Sequence, residues 1–187
     1  MYSRPGSHSR SPQVEQFDIA AVFLRSYTFD DFEEFAAIVT DLQLMQHLDG
    51  PLSMADATTL LRRCISPGKS DPLAWAVIDK QTQGIVGHAA LKTGSEPHSR
   101  ELIIVLKSRI QGRGLGKTIG RALCDIAFCR PDVEAIIATL DPDHEAAAVI
   151  AKSIGMSLHT TERDSKGEYP VYRVTREEWN RTSSPSR

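Results

Sequence analysis

A continuous apolar run, Leu102-Ile103-Ile104-Val105-Leu106, leads within a few residues into Gln111-Gly112-Arg113-Gly114-Leu115-Gly116, and this junction constrains the chain more than any other segment. Apolar residues without polar alternation are the pattern of a strand covered on both faces, so this one is expected near the middle of a sheet. After the glycines, Thr118 to Phe128 puts Ile119, Ala122, Leu123, Ile126 and Ala127 on one helical face, which predicts a helix that starts where the glycines stop. A strand, a glycine-rich turn and a helix in that order turn backbone N–H groups and the positive end of a helix dipole towards one point in space. Phosphate binds readily in such a place.

The flanking pattern extends this unit on both sides. Ile19 to Tyr27 reads as a strand, and Asp30-Asp31 ahead of Phe32, Phe35, Ala36 and Val39 reads as a capped helix. Met54 to Ile65 carries Ala57, Leu60, Leu61 and Cys64 at helical spacing behind Ser53, a good N-cap. Leu73 to Ile78 and Gly84 to Lys92 are β-compatible and separated by a polar turn, Asp79 to Gln83, which predicts an antiparallel hairpin. Val133 to Leu140 predicts a further buried strand, Glu145 to Ser153 a helix ended by Gly155, and Tyr169 to Val174 a closing strand. The expected class is therefore α+β, with a β-loop-α-β-α centre set in a mixed sheet.

At 187 residues, 41% apolar and 25% charged, one well-buried core is the default. The formal net charge of -2 gives no general attraction to nucleic acid or to an anionic membrane. Cys64, Cys124 and Cys129 lack metal-ligand spacing and read as reduced thiols, mostly buried, and no metal is expected. Residues 1–17, rich in Ser, Pro, Arg and His at their start and without a signal-peptide core, are expected to be a flexible leader, residues 18–180 a single domain, and 181–187 a loose tail. No transmembrane stretch is seen, so a soluble, cytoplasmic protein is expected.

Three phosphate-binding patterns compete for the glycine loop. The dinucleotide fingerprint needs glycine where Lys117 or Ile119 stands, and fails. The P-loop ending is matched by Gly116-Lys117-Thr118, but its first glycine would fall on Gln111, and too little chain follows for the remaining parallel strands. The pattern Q/R-x-x-G-x-G/A is met by Gln111, Gly114 and Gly116 in the right strand-loop-helix setting. With Leu24-Arg25-Ser26-Tyr27, Met45-Gln46-His47-Leu48, Trp75-Ala76-Val77-Ile78, Gly84-Ile85-Val86-Gly87 and Tyr172-Arg173-Val174 before Glu177-Glu178-Trp179, the chain resembles the GNAT superfamily of N-acetyltransferases, in particular its RimJ/RimL-like branch.

That resemblance implies the GNAT fold, a mostly antiparallel sheet flanked by helices with a V-shaped splay between two central strands. It implies acetyl-coenzyme A as co-substrate, with its pyrophosphate on the amides of Gly112, Arg113, Gly114, Leu115, Gly116, Lys117 and Thr118 and with Gln111 and Arg113 at the loop's mouth. Its pantetheine would pair with the main chain of Ile104, Val105 and Leu106 like an added strand. The glycines could instead form a tight turn that binds nothing. The acceptor implied is a primary amine, either a protein or peptide N-terminus or a small molecule, and a homodimer is left open.

An ammonium group cannot attack a thioester until a base removes its proton. Glu101, at the start of the central strand, is the first candidate for that base and Asp141, at the end of the next strand, the second. Glu101 could equally pair with Arg100 or a lysine as a plain strand-end residue. His144 stands where relatives carry an Asn, and a cofactor-side hydrogen bond is expected of it. His88 reads as a structural histidine and His98 as a loop residue. Where many relatives carry a Tyr and some a Ser on the following helix, this chain has Ala151 and Ala147, so no side-chain acid is visible. Water, or a residue from elsewhere, would then protonate the thiolate. Alternatively the chain is a GNAT-fold module that binds acetyl-coenzyme A without acetyl transfer.

Overall fold

Each apolar run read as a strand becomes part of one mixed sheet. The computed structural model describes residues 16–68, 72–165 and 167–183. Among these the strands are β1 (Gln16–Ile19), β2 (Val22–Arg25), β3 (Leu73–Asp79), β4 (Ile85–Thr93), β5 (Ser99–Leu106), β6 (Ala135–Thr139), β7 (Ser157–Asp164) and β8 (Gly167–Thr175). They lie in the order β1-β2-β3-β4-β5-β6-β8-β7, antiparallel throughout except for the parallel pair β5–β6. The β3–β4 hairpin is set by Asp79, whose carboxylate accepts from the amides of Gln81 at 2.7 Å and Thr82 at 3.1 Å and so tightens the polar turn.

Helices cover both faces and make two cores. On one face α1 (Phe32–Val39), the short α2 (Leu42–Met45) and α3 (Met54–Ile65) bury Phe35, Ile38, Met45, Ala57 and Leu61 against Ala76, Ile78, Ile85 and Val105. On the other, α4 (Leu115–Phe128), α5 (Glu145–Ser153) and α6 (Arg176–Ser183) bury Ile119, Leu123, Ile154 and Trp179 against Val77, Val86, Leu91 and Ile136. The α3 boundary is the one expected: Ser53 Oγ accepts from Asp56 N at 3.1 Å. Gly155, at φ +99, ends α5 in the left-handed conformation that glycine tolerates.

The feature that shapes the site is where β5 and β6 part. They pair only through Ser99 with Ala135, Arg100 with Ile136 and Glu101 with Ile137. Beyond Glu101, β5 stays with β4 as far as Leu106, while β6 stays with β8 as far as Thr139, so a wedge opens between two neighbouring strands. For this reason Leu102, Ile103 and Ile104 are half-buried, not covered on both sides as the unbroken apolar run predicts.

Several other expectations are corrected. Ile19–Tyr27 is not one strand: Ala20, at φ +47, and Ala21 turn the chain between β1 and β2. β1 starts at Gln16, inside the span expected to be leader, and the rest of that leader lies outside the described residues. α4 starts at Leu115, within the glycine loop and not after it. α6 runs to Ser183, so the start of the expected loose tail is helical, while 184–187 lie outside the described residues. β7 and α2 have no counterpart in the sequence pattern.

Candidate functional site

The loop after β5 is held open by its own side chains. Gln111 Nε2 donates to the Leu106 carbonyl at 2.7 Å, tying the loop's mouth to the end of the strand, and the buried Ile110 anchors the turn between them. Gly112 at φ +72 and Gly114 at φ +74 are left-handed, and a β-carbon built on either meets no atom within 4 Å. Glycine is therefore required there by conformation, and the space beside it is free. Gly114 is the N-cap of α4 and has no side chain to cap it. The first intrahelical bond is Thr118 N to Gly114 O at 3.2 Å, so the amides of Leu115, Gly116 and Lys117 precede the ladder and point out of the helix end. Arg113 and Lys117 are exposed beside them and add positive charge. Gly116 has a different task. A β-carbon there would lie 2.7 Å from Ile150 Cδ1, so its absence lets α5 pack on α4.

At the other end of the wedge stands Glu101. It is the third residue of β5, opposite Lys92 on β4 and Ile137 on β6, and so sits at the pivot where the two strands part. Its carboxylate meets Lys92 Nζ at 3.0 Å and its side chain is 14% exposed. Arg100 turns to Asp132 instead, at 4.0 Å.

A third group lies past the end of β6. Asp141 accepts from Asp143 N at 2.8 Å, a backbone bond that holds its carboxyl below the usual carboxylate range, and the neighbouring histidines add to the effect. Its main-chain carbonyl accepts from His144 N at 3.0 Å, which sets His144 at the start of α5. From the opposite side, the turn after α2 brings in His47. Its Nδ1 lies 3.2 Å from Asp141 Oδ2, and its ring stacks on that of His144 with centroids 4.1 Å apart and planes 15° from parallel. Burial, then the adjacent His47, lower the pKa of His144 from its ordinary value, against the pull of Asp141. The rings lie face to face and do not converge on one point, which is no arrangement for a metal ion.

Residues 21–157 match the Acetyltransferase (GNAT) domain model. The chain belongs to the GNAT acetyltransferase family. It is 23% identical over 168 residues to the uncharacterized N-acetyltransferase YnaD of Bacillus subtilis strain 168, a match covering 85% of this chain and 96% of that relative. Its fold matches the spermidine N-acetyltransferase of Vibrio cholerae solved with CoA and spermine (TM-score 0.75, 15% identity, 86% of this chain and 99% of the other). It likewise matches AAC(6')-Ib, an aminoglycoside acetyltransferase, solved with ribostamycin and coenzyme A (TM-score 0.76, 19% identity, 89% and 99%). At such identities the structural likeness establishes a shared GNAT fold.

Within this GNAT chain the expected loop residues, Gln111 to Thr118, are brought together around one helix end. Ile104, Val105 and Leu106 lie on the strand leading into it. Asp141 and His144 also meet, but Glu101 stands apart in its pair with Lys92. Ala151 is buried under the sheet and Ala147 half-buried, so α5 supplies no hydroxyl at either position. His88 is structural as expected: it is buried, and its Nδ1 pairs with Tyr27 Oη at 2.9 Å. His47 was missed. It stands 94 residues from Asp141 in the chain, and only the fold brings the two into contact. Cys64 and Cys124 are buried and Cys129 is exposed, in keeping with a mostly buried set. Among the described residues no helix is long and apolar enough to cross a membrane.

Proposed function

We infer that this protein transfers the acetyl group of acetyl-coenzyme A to a primary amine. One observation carries the reading: a helix with an uncapped N-terminus and two left-handed, unobstructed glycines sits at the end of a strand whose far edge has lost its partner. These residues fit the cofactor. The amides from Gly112 to Lys117, with the Arg113 and Lys117 side chains, would hold a pyrophosphate, as anions are held at helix N-termini, while the Thr118 amide is spent on the Gly114 carbonyl. The free edge at Ile104, Val105 and Leu106 would pair with the amide groups of pantetheine. His144, at the start of α5, would face the same side.

The bound co-substrate would supply an activated acetyl thioester; the chain's task is to orient an amine and take its proton. Glu101 at the pivot and Asp141 beyond β6 are the two carboxylates proposed for that step. Glu101 would have to be released from Lys92 to serve. For the acceptor we favour a protein or peptide N-terminus, following the RimJ/RimL-like motifs, although the spermidine and aminoglycoside enzymes that share the fold act on small amines, which stay within the test. The protein would work in the cytoplasm as a single domain from β1 through α6, as a monomer or a homodimer. A second reading, a module that binds acetyl-coenzyme A without transfer, draws support from the missing hydroxyls at Ala147 and Ala151.

Free-thiol release from acetyl-coenzyme A against pooled amines and N-terminal peptides separates the two. Release selects transfer. Saturable binding without release across the whole panel selects the module. If Glu101 is the base, Glu101→Gln is expected to lower turnover about a hundredfold or more while the thermal shift with acetyl-coenzyme A stays at the wild-type value. Wild-type turnover in that variant makes Glu101 a strand-pivot residue.

A further inference from the structure

The motif Met45-Gln46-His47-Leu48 runs from the end of α2 into the turn that follows, and the fold gives its histidine a distinct position. α2 packs beside β5, and the turn that follows it carries His47 across to the loop beyond β6. The ring therefore bridges the two strands that part, from the side of the sheet on which α1 and α3 lie. Asp141 fixes its orientation. With Nδ1–H donated to the Asp141 carboxylate, the lone pair of the neutral ring is on Nε2, for which no hydrogen-bond partner exists among the described residues. The side chain is 26% exposed, so a ligand in the wedge can reach it.

The stacked His144 limits how much charge the group can hold. Two imidazolium rings 4.1 Å apart would repel, so the pair is suited to one proton at a time. Asp141 contacts His47 at Nδ1 and leaves Nε2 as the nitrogen available to a ligand. Asp141, from the turn after β6, and His144, from the start of α5, are the titratable groups facing His47.

We propose that His47 is the residue that takes the proton from the acceptor amine, with Asp141 as its positioning residue and His144 keeping the pair to a single charge. The proposal rests on the acetyl-transfer reading and replaces direct action by either carboxylate, Glu101 or Asp141. In the step, an N–H bond of the ammonium breaks and an Nε2–H bond forms, leaving the electron pair on the amine nitrogen. That pair makes the C–N bond to the acetyl carbon, and the C–S bond breaks with its electrons on sulfur. The second amine proton passes through water to the thiolate, and the imidazolium returns its proton to solvent. The sum is ammonium plus thioester giving amide, thiol and one proton.

The test measures thiol release against pH with the best amine of the pool, in the full chain. His47→Gln is expected to lower kcat/KM for the amine about a hundredfold at neutral pH, with KM for acetyl-coenzyme A within about twofold. The loss should shrink towards the pKa of the amine, because the free base then arrives without help. Added imidazole should restore part of the rate to His47→Ala. Asp141→Asn should show the same pH shape with a smaller loss, and it carries the test if His47→Gln no longer takes up cofactor. A wild-type pH profile in His47→Gln, or a loss equal at all pH and indifferent to imidazole, overturns the proposal while leaving acetyl transfer intact. A wild type that releases no thiol overturns both.

Discussion

A β-carbon at Gly114 would touch nothing within 4 Å, yet φ at that residue is +74, where a β-branched side chain is strained. Because the site is open, Gly114→Val should not disrupt the core. Its cost falls on the loop, which must leave the left-handed region and swing the amides of α4 out of register, while the isopropyl group fills the free space. The expected result is a folded protein in which acetyl-coenzyme A no longer raises the melting temperature, where the wild type gains about 2.7 kcal/mol at a hundredfold excess over the dissociation constant. A normal shift in the variant would reduce the loop to a turn. This residue was legible in the sequence because positive φ is written as glycine. His47 was not, since nothing in a short polar turn announces a partner on another element; that part of the site exists only once α2 and the β6–α5 turn are placed together.

Among the elements, β4 and β5 pack most tightly at Gly87. A β-carbon there would lie 2.6 Å from the Val105 carbonyl oxygen and 2.6 Å from Leu106 Cδ2. The side-chain atom can yield but the backbone carbonyl cannot. Gly87→Ala should therefore force the strands apart and cost roughly 1–3 kcal/mol, read as a lower urea midpoint. Gly84→Ala, whose β-carbon meets nothing nearer than 3.7 Å, is the control and should move the midpoint little. Equal effects in the two would show that the contact at Gly87 is relieved by movement. Of the elements legible from sequence, α1 and α3 bury a periodic apolar face and β3, β4 and β6 a continuous apolar run, so their local pattern and tertiary role agree. β7 is exposed at all eight positions and is held by backbone pairing to β8, which leaves no pattern to read. α6 depends on Trp179, whose Nε1 donates to Asp125 at 2.9 Å and whose ring lies under Arg121; only its last residues, from 181 onward, read as tail.

For the molecule as a whole, the two cores on either side of the sheet differ in how they meet acid. The core under α1 and α3 contains a neutral histidine, His88, packed between Tyr27 and Phe35, and burial pushes its pKa down to about 4. In the unfolded chain the same group titrates near its ordinary value of 6.5. Between those two values the unfolded chain binds the proton and the folded one does not, so stability falls as pH falls through that window. The shift corresponds to about 3 kcal/mol, fully present above pH 6.5 and lost by about pH 4. His144, also lowered, acts in the same direction from a half-exposed position, whereas the stability that the depressed carboxyls of Asp141 and Glu178 contribute is lost only at lower pH, where carboxylates protonate. Urea midpoints taken from about pH 7.5 to about pH 5.5 should therefore decline before carboxylates titrate appreciably. His88→Gln, which can keep a hydrogen bond to Tyr27 but carries no titrating ring, should start from a lower midpoint and decline less across the same range. A slope unchanged in His88→Gln would mean that the proton enters elsewhere, and His144→Asn would then be the variant in which the slope disappears.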